Sequence, residues 1–149
     1  MDWNYDDFKK TVAENNCDGA IIAYKGFHPH LLHKDNFYAS MRTSGSYLIE
    51  IKEKNSFTPN KMDSPQSAGA YYFKRGDTIK KYFQQLMDEN LSLNGEYYVS
   101  LVYNLLKKNG LSTFVYDKVP HFLQWGTPAD FEEYKYWSDI FTKNEKYQE

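Results

Sequence analysis

Asp18-Gly19-Ala20-Ile21-Ile22-Ala23-Tyr24 is the stretch on which the fold turns. A turn signal leads into five apolar residues with no polar alternation, the pattern of a strand covered on both faces. Such a strand needs layers above and below it, and helical periodicity flanks it. Upstream, Asn4 suits an N-cap, Asp6 and Asp7 suit the first turn, and Tyr5, Phe8 and Val12 share one face before Asn15-Asn16 ends the helix. Downstream, Gly26 to Asn36 reads as loop, with Pro29 and three histidines. Phe37 to Arg42 and Tyr47 to Glu53 flank Thr43-Ser44-Gly45-Ser46 as a hairpin.

Further out the alternation continues. Asn55 to Ser67 is loop, and Ala68 to Lys74 is a strand loaded with aromatic rings. Asp77 caps a helix whose apolar positions are Ile79, Tyr82, Phe83 and Leu86. Leu93-Asn94-Gly95-Glu96 turns into a second helix with the stripe Tyr98, Leu101, Val102, Leu105 and Leu106, and Asn109-Gly110 stops it. Thr113 to Tyr116 reads as a strand and His121 to Trp125 as another. Thr127-Pro128-Ala129-Asp130 starts a last helix, with Phe131, Tyr134, Trp137 and Phe141 as its buried face. The expected class is α/β in one domain over residues 1–149, strands and helices alternating around one hairpin insertion.

Composition narrows the function. The 149 residues are 41% apolar and 26% charged, a globular balance without the signature of disorder. Formal net charge is −2, and no basic stripe runs along the chain, so a nucleic-acid partner is not expected. A single cysteine, Cys17, excludes an intramolecular disulfide and fits a reducing compartment, where a small buried filler is its expected role. The acidic start lacks the apolar core of a signal peptide, and no run has the ~18 apolar residues of a membrane span, so the expectation is a cytoplasmic protein without a membrane partner.

Five short segments carry a resemblance. They are Asp2-Trp3-Asn4-Tyr5-Asp6-Asp7-Phe8, Glu50-Ile51-Lys52-Glu53-Lys54, Ala68-Gly69-Ala70-Tyr71-Tyr72-Phe73, Asn94-Gly95-Glu96-Tyr97-Tyr98-Val99 and Trp125-Gly126-Thr127-Pro128-Ala129-Asp130. In this order, within these elements, they resemble the sugar-1-phosphate nucleotidyltransferases, the nucleotide-sugar pyrophosphorylases, over roughly Asp2 to Ile140. That family joins an NTP to a sugar phosphate in surface-polysaccharide precursor synthesis and releases pyrophosphate. The resemblance implies a partial Rossmann-like mixed sheet of the nucleotide-diphospho-sugar transferase type, equivalent to the sugar-phosphate-binding half.

The departures point the same way. The family's Gly-x-Gly-x-Arg loop, whose amides cradle the NTP phosphates, has no counterpart in these residues. The resemblance puts the first metal-binding aspartate ahead of Met1, and Gln124 stands where some members carry a second metal carboxylate. A neutral amide is a poor Mg²⁺ ligand, so the Mg²⁺ of the family is not expected on this chain, nor is a catalytic residue.

What remains is an acceptor side. Transfer of a nucleotidyl group depends on charge neutralisation and positioning, so a cation must hold the sugar's phosphate. The resemblance assigns that to Lys54, against a solvated lysine at a strand end. It assigns Glu53 and Glu96 to sugar hydroxyls, which a carboxylate accepts in pairs. Glu96 otherwise reads as an acid at a helix N-terminus. Gly69 would let backbone approach the sugar, or is simply a strand-start glycine, and Asn94 and Gly95 complete the candidate set. His28, His30 and His33 have a metal-like spacing without an acidic or thiol partner, which favours a loop-shaping role.

Two functions of different class follow: a truncated nucleotidyltransferase-like chain binding sugar phosphate weakly, or a non-catalytic binding or assembly module of the same fold. A homodimer or swapped assembly is also expected, on the argument that Ala20–Tyr24 and Ala68–Phe73 present an open edge and an aromatic face.

Overall fold

The side chain of Asn4 accepts the amide of Asp7 at 2.9 Å, and this cap starts α1, Tyr5–Asn15. The computed structural model describes residues 3–145. After α1 come β1 (Gly19–Tyr24), β2 (Ser40–Ser44), β3 (Tyr47–Lys52), β4 (Gln66–Phe73), α2 (Gly76–Asp88), α3 (Val99–Lys108), β5 (Thr113–Val119) and α4 (Pro128–Glu145), with short 3-10 turns at Pro29–Leu32 and Lys61–Asp63.

All six residues of β1 are buried, and its alternate side chains feed two cores. Ile21 and Ala23 pack with Met41, Leu48, Tyr82, Leu86, Val102 and Leu106 under α2 and α3. Ala20, Ile22 and Tyr24 pack with Phe8, Val12, Tyr116 and Val119 under α1. The strand admits α3 closely only because Gly19 has no side chain: a Cβ there would sit 2.8 Å from Tyr103 Cε1. Tyr103 Oη donates to the Tyr72 carbonyl at 2.9 Å, satisfying the one polar atom of a fully buried ring.

The sheet is not the open Rossmann-like sheet that the resemblance implies. It closes into a five-stranded mixed barrel in the order β1-β4-β2-β3-β5. β1 lies antiparallel to β4 and parallel to β5. The β2–β3 hairpin, expected as an insertion, forms the opposite wall. Two narrow seams tie it in, Ser40 to Gln66 of β4 and Tyr47 to Phe114 of β5, the second reinforced by the Val115 amide donating to the Ser46 carbonyl at 2.7 Å.

Closure also removes the expected open edge on β1, which has a partner on each side; β4 is paired along β1 and meets β2 at Gln66. Other expectations shift locally. His121 to Trp125 forms no strand; β5 runs on to Val119 instead, and the Phe122 ring stacks on Tyr24 with centroids 4.6 Å apart. Arg75, not Asp77, holds the cap position of α2, and Asp77 in its first turn is gripped by the Arg75 guanidinium at 2.6 Å. α3 begins at Val99, after Glu96. Phe131, Tyr134, Trp137 and Phe141 are exposed rather than buried. Among the described residues, no helix is long and apolar enough to cross a membrane.

Candidate functional site

β3 is fastened to α3 by Asn104, whose side chain accepts the Ile51 amide at 3.0 Å and donates to the Ile51 carbonyl at 2.8 Å. This amide clamp fixes where Glu53 and Lys54 emerge. Ser100, buried in the first turn of α3, donates its hydroxyl to Glu53 Oε2. Burial pushes the Glu53 carboxyl above its ordinary range, and the Ser100 hydrogen bond and the Lys54 charge oppose that in part. Glu53 is therefore a half-buried acceptor held in one orientation.

Lys54 follows in the left-handed region, φ 51°, which costs an L side chain strain that a glycine would not feel. Its Nζ lies 3.6 Å from Glu96 Oε2 and 5.1 Å from the centroid of the Tyr98 ring. Tyr98 donates its hydroxyl to the same Glu96 oxygen. The Tyr98 hydrogen bond and then Lys54 hold the Glu96 carboxyl below its ordinary range, while Tyr98 and Glu96 hold the Lys54 ammonium above its own. Asn94 and Gly95, with φ 53° and 80°, make a two-residue turn closed by reciprocal bonds between Leu93 and Glu96. They lead into Glu96, and the Asn94 side chain makes no hydrogen bond to the cluster among the described contacts.

Gly69, φ 76°, lies in a bulge of β4 where the pairing with β1 skips from Ile21–Tyr71 to Ala23–Ser67. The Gly69 amide donates to Ser67 Oγ at 3.1 Å, and that hydroxyl donates to Tyr71 Oη at 2.9 Å. Burial raises the Tyr71 phenol, with Ser67, Glu53 and Ser100 all acting on it. Gly69 is thereby joined through Ser67 to Tyr71, whose phenol also feels the Glu53 charge. The structure thus brings Lys54, Glu96 and Tyr98 together and sets Glu53 on Ser100, while Gly69 contacts Ser67 and has no described contact with Lys54 or Glu96. A lone serine in a helix's first turn leaves no spacing signal, and tyrosines are too frequent in this chain to stand out.

Two clefts open elsewhere. One of about 280 Å³ lies beside α1, with Phe8, Val12, Cys17 and Tyr72 in its wall. Cys17 is buried, and burial raises its thiol. Another, of about 370 Å³, is lined by His30, His33, Gln124, Trp125, Tyr134 and Trp137 along α4. Glu53, Lys54 and Glu96 line neither of them.

The three histidines diverge. His28 is buried, and it accepts the Phe122 amide on Nε2 at 3.4 Å, which leaves Nδ1–H to face the Gly26 carbonyl at 3.4 Å. His30 Nε2 meets Tyr24 Oη at 2.7 Å, and burial, with His28 adding to it, lowers its pKa to about 4. His33 packs edge-on against Phe37. Among the described residues no group of three His, Cys, Asp or Glu could hold a metal ion. Gln124 donates to Asp130 Oδ2 at 3.0 Å, and Thr127 occupies the same oxygen in a capping box that starts α4.

No protein-family model matches the chain, and no curated protein matches it significantly. Among solved structures, the nucleoside-diphosphate-sugar pyrophosphorylase from Vibrio cholerae RC9 is similar, with a TM-score of 0.64 and 19% identity. The match covers 81% of this chain and 47% of that one, so this chain spans about half the length of its structural neighbour. At that identity the likeness shows a shared fold over those residues.

Proposed function

We propose that this chain is the acceptor-side portion of a nucleotidyltransferase-type protein, and that it binds a sugar phosphate weakly at Glu53, Lys54, Gly69 and Glu96. The observation that carries this reading is the meeting of Lys54 and Glu96, 42 positions apart by their numbering (96 − 54), at 3.6 Å beside Glu53. A cation beside carboxylates suits a sugar phosphate, with one positive group for the phosphate and acceptors for the hydroxyls. Lys54 would exchange Glu96 for the phosphate, releasing the carboxylate to a hydroxyl. In nucleotidyl transfer that phosphate's oxygen attacks the α-phosphorus and pyrophosphate leaves, so holding the phosphate is a positioning task. The pyrophosphorylase fold of the neighbour supports the same reading.

A second reading, a non-catalytic sugar-phosphate-binding or assembly module, draws on Gln124. Its amide is engaged with Asp130, where some nucleotidyltransferases resembling this chain carry a metal carboxylate. The two readings part when a nucleotide-binding half carrying the Gly-x-Gly-x-Arg loop is supplied in trans: pyrophosphate release from NTP and sugar 1-phosphate with Mg²⁺ favours the first, and none favours the second.

A further inference from the structure

α4 is 18 residues long, and of its described side chains none is fully buried; Asp130 and Ile140 alone are partly covered. A helix of that length with no packed face is marginal in water, since helices in proteins owe most of their stability to burying one side. Yet α4 carries a row of large rings at spacings of three and four: Phe131, Tyr134, Trp137 and Phe141, exposed by 41–64%. Leu123 and Trp125 extend the row from the preceding segment, and Trp125 packs on Tyr134 at 4.6 Å between centroids.

We propose that this row is the contact surface between two copies of the chain, with the α4 helices antiparallel across a two-fold axis near Trp137. This contact lies on a different surface from the strand edge on which a dimer is expected from sequence, and is independent of the sugar-phosphate reading. Three observations select a second copy. The first is area. Six half-exposed large side chains contribute ~100 Å² each, ~600 Å² per copy and ~1,200 Å² in all, the lower limit of a specific interface. The second is shape. Clefts of about 370 and 380 Å³ share Tyr134 and Trp137 in their walls, so hollows lie beside the rings of the row, into which rings of a second copy can pack. The third is charge. The first turns of α4 carry Asp130, Glu132 and Glu133, and its last turn carries Lys143, so an antiparallel partner sets Lys143 against the acidic end.

Light scattering on the eluting peak at 5 and 200 µM tests this. The expected result is twice the monomer mass at the higher concentration. Trp137→Glu with Phe141→Glu should give a monomer with unchanged far-UV circular dichroism. Lys143→Glu should weaken dimerisation at least fivefold, and adding Glu133→Lys should restore it. A monomer at 200 µM overturns the proposal, as does a dimer that the double glutamate variant leaves intact. A dimer insensitive to Lys143→Glu overturns the antiparallel arrangement.

Discussion

Lys54 Nζ stands 3.6 Å from Glu96 Oε2, so the cation proposed for the phosphate already has a counter-ion, and a ligand must compete with it. Both side chains are largely exposed, at 44% and 66%, and exposed pairs add little to stability. Lys54→Ala and Glu96→Ala are therefore expected to leave the melting temperature within about 3 °C of the parent, as read by circular dichroism. A fall of 8 °C or more in either would mean that the pair holds the fold rather than a ligand.

Lys54 also bears a backbone strain. Its φ of 51° suits glycine, so Lys54→Gly should raise the melting temperature by about 2–4 °C while removing the charge. Lower stability in that variant would show that the lysine stem packs on Tyr98 strongly enough to outweigh the strain.

Two glycines should separate space from conformation. Gly19→Ala sets a Cβ 2.8 Å from Tyr103 and 3.3 Å from the Tyr72 carbonyl, an overpacking expected to cost about 2–3 kcal/mol. Gly69→Ala meets nothing within 4 Å, so only its φ of 76° opposes the change, at about 1 kcal/mol. Urea unfolding ranks the two, and the reverse order would contradict the placement of α3 on β1.

The expected pH response follows from His30. Burial and nearby His28 lower its pKa in the fold to about 4, below the 6.5 of an exposed imidazole. The fold holds the neutral ring, so the His30 contribution is complete above pH 6.5 and is lost as pH falls from 6.5 toward 4. His30→Gln keeps a hydrogen-bonding group against Tyr24 without titrating, and should flatten that fall in melting temperature. An unchanged slope would assign it to other groups, His28 among them.

What could be read in the sequence was what short spacings decide. The Asn4 cap, the buried strand Gly19–Tyr24, the Thr127–Asp130 capping box and the Gly110 end of α3 all arise within a few residues. Barrel closure depends on Ser40 meeting Gln66 and Tyr47 meeting Phe114, and periodicity says nothing of which edges meet across such separations. The α4 row shows the limit of the same signal: a stripe of rings marks a face to be covered, not the layer that covers it. Glu53, Lys54 and Glu96 entered through resemblance, and Ser100, which orients Glu53, had no local pattern to mark it.

The central claim is that Lys54 and its neighbours hold a sugar phosphate, and an amide NMR titration with glucose 1-phosphate tests it most directly. The account predicts saturable shifts at Glu53, Lys54, Gly69 and Ser100 with a Kd of ~1 mM, lost in Lys54→Ala. Shifts absent from these amides, or unchanged in Lys54→Ala, would contradict it.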